Sequence, residues 1–121
     1  MSGFIKLHRK FREWEWYSDS AVKDVFLHLL LAANWEEVRW KGKVINAGQL
    51  ITTVKDLSEE LNITTKRVRT ALAKLEQTGE ISKKAANKYT LITIENWGFY
   101  QGDDSSEGKQ RANKGQTYIF I

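Results

Sequence analysis

Residues 57 to 81, LSEELNITTKRVRTALAKLEQTGEI, constrain the fold more than any other stretch of the chain. Leu57, Leu61, Ile63, Val68, Leu72 and Leu75 are its only large apolar residues before Ile81. Their positions fit two short helices packed around a tight turn, followed by a strand. In the second helix Val68, Ala71, Leu72 and Leu75 recur at i, i+3, i+4 and i+7, which lays one apolar stripe against a core. Between Thr64 and Lys74 there are four cations (Lys66, Arg67, Arg69, Lys74) and no acid, so a helix docked by that stripe presents positive charge outward. Thr64 is a good N-cap, because its hydroxyl accepts from an otherwise unpaired first-turn amide. Gly79, able to take the left-handed conformation, stops the helix. The pattern is that of a DNA-reading helix-turn-helix.

At 121 residues the chain has room for one domain with one hydrophobic core. It contains no cysteine, which excludes disulfides and thiolate metal sites and agrees with a reducing, cytoplasmic setting. The apolar run Val25 to Ala33 is too short to span a bilayer and is interrupted by His28, and the N-terminus lacks the apolar block of a signal peptide. A soluble protein is expected, with no membrane partner. The net charge of +4 is modest but segregated: acids gather at Glu59 and Glu60, cations at 66 to 74 and again at Lys83, Lys84 and Lys88. A basic stripe beside a turn and helix points to nucleic acid, although a solvated face is the commoner meaning of any single charge run.

Phe4, Ile5 and Leu7 suggest a short N-terminal strand in a basic arm carrying Lys6, Arg9, Lys10 and Arg12. In Glu13-Trp14-Glu15-Trp16-Tyr17, acid and aromatic alternate, so an extended segment puts both tryptophans on one face, where they cover an edge of the core; a helical turn is the other option. Ser18 or Asp19 caps a helix to about Asn34, with Val22, Val25, Phe26, Leu29, Leu30 and Ala33 at helical spacing. Leu27 and Leu31 fall off that stripe, so this helix is buried widely or meets a second subunit, and a homo-oligomer is expected. Lys41-Gly42-Lys43 turns the chain into Val44-Ile45 as a hairpin. Leu50 to Thr53 is short and β-branched, and Thr53 with Asp56 resembles a capping box that starts a helix near Val54. Residues 80 to 84 and 89 to 94 read as two strands joined at Ala85 to Lys88, with Asn87 in the turn: a β-hairpin wing. Trp97, Phe99 and Tyr100 pack back on the domain, Gln101 to Thr117 reads as polar linker, and Tyr118 to Ile121 is an abruptly apolar end. The expected division is thus a domain over 1–101 and a tail over 102–121.

No phosphate-cradling glycine loop, metal-ligand spacing or cysteine nucleophile is present, so neither catalysis, a metal nor a cofactor is expected. His8 lies in the basic arm. His28 sits mid-helix among leucines, where a hydrogen-bonded structural role outweighs a catalytic one. The pairs Glu59-Glu60 and Glu36-Glu37 are adjacent in sequence and point apart, as solvated surface does.

The expected fold class is therefore α+β, mainly α: a winged helix-turn-helix with a short N-terminal strand and a β-hairpin wing. Further phrases narrow it. ITTVKDLSEELNITTKRVRTALAKLEQTGEI, then NKYTLITIENWGFYQ, together with FIKLHRK and EWEWYSDSAVKDVFLHLLLAAN, resemble the N-terminal domain of DnaD-like replisome organisers of phages and their Gram-positive hosts. The resemblance spans about residues 3 to 101. It implies a DNA-binding winged helix acting in phage or plasmid-type replication initiation, with double-stranded DNA and replication proteins such as a helicase or helicase loader as partners. Such organisers usually continue past a polar linker into a second, helical domain, whereas here the chain stops at Ile121, and in such families the winged-helix part is also implicated in oligomerisation. Matched by position, the pattern puts Thr64, Thr65, Lys66, Arg69 and Thr70 on the exposed face of the recognition helix, with Lys66 and Arg69 as candidates for base edges and the threonines for phosphate or methyl contacts. Arg67 serves either role; Lys74 belongs to the same basic face, and Lys83, Lys84 and Lys88 contact adjacent phosphates. Two alternatives share the fold: a transcriptional regulator, and an interaction module that assembles through Leu27 and Leu31 without binding DNA.

Overall fold

The computed structural model describes residues 3–100, an α+β arrangement of four helices and two small antiparallel sheets. After a 3-10 helix at Arg9–Glu13 come α1 (Ser20–Ala32), β1 (Val38–Trp40), β2 (Lys43–Ile45), β3 (Gln49–Thr52), α2 (Val54–Leu61), α3 (Thr65–Gln77), β4 (Ile81–Ala85), β5 (Thr90–Ile94) and the single turn α4 (Trp97–Tyr100). This order is consistent with a winged-helix-like domain. The expected polar linker and apolar end, 102–121, lie outside the described residues.

Local chemistry sets the helix ends. Asp19, Thr53 and Thr64 cap α1, α2 and α3, each accepting from an amide three residues on, at Val22 (3.2 Å), Asp56 (3.0 Å) and Arg67 (3.1 Å). Asn62 closes α2 in the left-handed conformation, φ 57°, and Gly79 follows α3 with φ 86°. From α1, Val22, Val25, Phe26, Leu29 and Leu30 enter the core, where they join Val68, Ala71, Leu72 and Leu75 of α3 and Leu57 of α2. Leu27, partly buried, also packs on this core, whereas Leu31 is 69% exposed. Widely apolar as it is, α1 is thus buried on most but not all of its circumference.

The three-stranded sheet has the order β3-β5-β4, with Leu50 opposite Ile92, Lys83 opposite Ile92 and Ile81 opposite Ile94. Leu50, Ile92, Ile81 and Ile94 are buried and form its core face. β1 and β2 make a separate hairpin, turned by Lys41 and Gly42, both at positive φ as a two-residue primed turn requires. Ahead of β3, Gly48 (φ +85°) lies against Trp97, where a Cβ would meet the ring Cγ at 2.7 Å, so this position admits only glycine.

The N-terminal arm departs from expectation. Instead of a strand there is a single bridged residue, Ile5, beside a bond from the Lys6 amide to the Tyr100 carbonyl at 2.7 Å. The aromatic segment is not extended: His8 caps the 3-10 helix, and Phe11 and Trp14, three residues apart, both turn inward and stack with centroids 5.0 Å apart. Burial of Trp14 agrees with the packing role and removes it from any surface for bases.

Glu80 is the only buried charged side chain among the described residues, at 0% exposure. Its carboxylate accepts from the Trp14 indole N–H at 2.9 Å and from the Thr78 hydroxyl, which itself accepts from the Trp16 indole at 2.9 Å. Its amide donates to the Leu75 carbonyl (3.0 Å) and its carbonyl accepts from Glu95 (3.0 Å), so one residue ties together the end of α3, the root of the β4–β5 hairpin and the N-terminal arm. Burial raises the Glu80 carboxyl above the usual carboxylate range, against the lowering effect of the Thr78 and Trp14 hydrogen bonds. A raised folded-state pKa costs no stability while the unfolded chain is also protonated; the cost builds as pH rises through the folded value. Glu80→Gln should therefore gain on the wild type in Tm as pH rises above the ordinary glutamate range; a Tm difference that is flat with pH, or shrinks, contradicts this account.

Candidate nucleic-acid interface

With Val68, Ala71, Leu72 and Leu75 turned inward, the helical period leaves Lys66, Arg69, Thr70, Ala73 and Gln77 on the outward face of α3, all exposed. Thr65 opens the same face. This surface carries two cations and two hydroxyls, with the exposed Glu76 at its edge, facing Lys83. Thr64 is exposed too, but its hydroxyl oxygen holds the Arg67 amide as the cap.

The remaining cations of α3 turn toward α1. Lys74 donates to Asp19 Oδ2 at 2.9 Å and lies 5.2 Å from the Trp16 ring centre, so it clamps α1 to α3 rather than facing outward with Lys66 and Arg69. Arg67 lines the same groove, of about 340 Å³, with Asp19, Val22 and Lys74; Lys66 and Thr70 also line it. Asp19 is held below the usual aspartate range, first by the Lys74 hydrogen bond, then by the Val22 amide and the charges of Lys74 and Arg67.

Strand alternation separates the hairpin lysines that the sequence groups together. Lys83 is on the core face of the sheet and reaches Glu76 of α3 at 3.9 Å, whereas Lys84 is on the other face, with Leu91 and Ile51. Lys88 stands exposed near the tip. The alternation needed to separate Lys83 from Lys84 is present in the sequence.

A second group of cations is less legible. Trp40 of β1 and Tyr89 beside β5 meet edge to face at 5.0 Å, with Lys41 4.9 Å from the Trp40 centroid and Lys43 5.9 Å from that of Tyr89. The sequence signal is a lysine on each side of Gly42, which reads first as turn chemistry. His28 is hydrogen-bonded to Glu60 at 3.1 Å, bridging α1 and α2 in the structural role expected of it. Leu31 and Leu27 diverge: exposed Leu31 lines a small hollow of about 90 Å³ with Phe4 and Trp35, and Leu27 does not.

Residues 5–118 match the family described as N-terminal phage replisome organiser. The chain belongs to that family. Membership supports a role in phage replication and replication-related partners. No curated protein and no solved structure matches the chain. Among the described residues of this replisome organiser domain, no helix is long and apolar enough to cross a membrane.

Removing the cap and clamp together, Asp19→Ala should destabilise the domain by about 1–2 kcal/mol at neutral pH. Because the folded pKa is depressed, that stabilisation is present above the unfolded aspartate value and is lost as pH falls through the folded one. Thermal melts should show the gap between wild type and Asp19→Ala closing on acidification; a gap that persists in acid contradicts the assignment.

Proposed function

We propose that this domain is a winged helix that binds double-stranded DNA during phage replication initiation, with α3 in the major groove and the β4–β5 hairpin as the wing. The observation that carries the reading is the outward face of α3: Thr65, Lys66, Arg69 and Thr70 are exposed together, and Glu76 at its edge faces Lys83. Lys66 and Arg69 are the base-edge candidates, since a guanidinium pairs bidentately with guanine and an ammonium donates to its O6 and N7. Thr65 and Thr70 suit phosphates or thymine methyls. Lys83 and Lys88 supply phosphate contacts from the wing, whereas Lys74, and in part Arg67, serve the α1–α3 seam. The protein acts without catalysis, in the cytoplasm, and presents a duplex to replication proteins such as a helicase or its loader.

One observation favours a second reading, assembly without DNA contact. Leu31 and Phe4, 69% and 63% exposed, line one hollow with Trp35 and leave an apolar patch for a second copy.

Duplex binding across a salt series separates the two. Each phosphate contact lowers log K against log salt by about 0.9, so a groove binder loses affinity steeply while assembly through Leu31 does not. Arg69→Ala and Lys66→Ala should each cost about 1–3 kcal/mol on a preferred site and relax preference. An equal loss on every sequence refutes base reading, and salt-insensitive mass with no duplex binding establishes the assembly reading.

A further inference from the structure

Of the cations and rings at the two hairpin tips, only Lys88 is used by the duplex reading. A cleft of about 520 Å³ opens between the β1–β2 turn and the β4–β5 turn, lined by Trp40, Lys41, Lys43, Lys88, Tyr89 and the exposed Asp56. Its size falls within the ~300–1,000 Å³ typical of ligand sites. Neither Trp40 nor Tyr89 belongs to the hydrophobic core; the two rings pack on each other at the edge of the cleft. Three exposed lysines rim two half-buried aromatics.

We infer that this cleft binds single-stranded DNA, with bases stacked on Trp40 and Tyr89 and phosphates held by Lys41, Lys43 and Lys88. Rings flanked by cations suit a strand whose bases are unpaired, because only there is a base face free to stack. The Asp56 carboxylate fixes the polarity of binding. It repels a phosphate from its side of the cleft and accepts from a base amino group, so the backbone stays at the lysines. The same carboxylate disfavours an acidic peptide. Lys41 and Lys43 now lie over the ring faces, weak contacts at exposed sites, and their flexible stems let the ammonium groups move to phosphates and vacate the rings.

The position of the cleft adds to this. Lys84 shares a sheet face with Ile51, which lines the cleft, whereas Lys83 is on the α3 side. The β4–β5 hairpin thus divides two surfaces, one for duplex and one for an opened strand. The inference takes from the proposed function only its choice of nucleic acid as partner, and its failure is separable from that of the duplex reading.

The test is fluorescence anisotropy of the full chain with a labelled mixed-sequence single strand and with a duplex of the same sequence, folding being checked by circular dichroism. Trp40→Leu, which keeps an apolar side chain outside the core, should weaken single-strand binding by at least about tenfold, the stacking of one base, and leave duplex binding unchanged. Lys41→Gln with Lys43→Gln should weaken the single strand and flatten its salt dependence, and Arg69→Ala should do the reverse, losing duplex only. The proposal is overturned if the wild type does not bind single strands, if Trp40→Leu leaves that binding intact or weakens both forms equally, or if a polyglutamate peptide displaces the strand. Single-strand binding that depends on Trp40 in a protein that ignores duplex supports this inference and defeats the duplex reading instead.

Discussion

The buried carboxylate of Glu80 fixes where the functional surfaces can be. A charge removed from water is tolerated only when its lone pairs are met, and here the indole of Trp14 and the hydroxyl of Thr78 meet them. Those bonds impose geometry on three parts of the chain. The arm must fold inward to bring Trp14 to Glu80, α3 must end before Gly79, and β4 must begin one residue after the carboxylate. The angle between the outward face of α3 and the β4–β5 hairpin follows from that junction rather than from the surface residues themselves.

Around the junction, the cations of α3 divide by task. Lys74 pairs with Asp19 and holds α1 on α3, while Lys66 and Arg69 face outward. A helix that is basic in sequence thus carries less free charge in the fold. The same economy applies to Thr64, whose hydroxyl starts the helix and leaves Thr65 and Thr70 as the hydroxyls on the open face.

Much of this was legible in the residues. Periods of 3.6 gave α1 and α3 their buried faces, Thr53 and Thr64 marked two helix starts, and Lys41-Gly42 marked a hairpin. The N-terminal arm was not legible, because Trp14 and Trp16 satisfy an alternating pattern and a turn equally well, and their partners Glu80 and Thr78 lie more than sixty residues away. The split of Lys83 from Lys84 was available from strand alternation, whereas grouping by charge hides it. The meeting of Trp40 with Tyr89 is tertiary and has no local signature.

The central claim is that the outward face of α3, held by the Glu80 junction, is where duplex DNA lands. Amide chemical-shift mapping during titration with a short duplex tests it most directly, since every residue reports at once. The account predicts shifts concentrated at Thr65, Lys66, Arg69, Thr70 and the Lys88 turn, with Leu31 and its neighbours silent. Shifts centred on Leu31, Phe4 and Trp35, or none on α3 while duplex binds, contradict it.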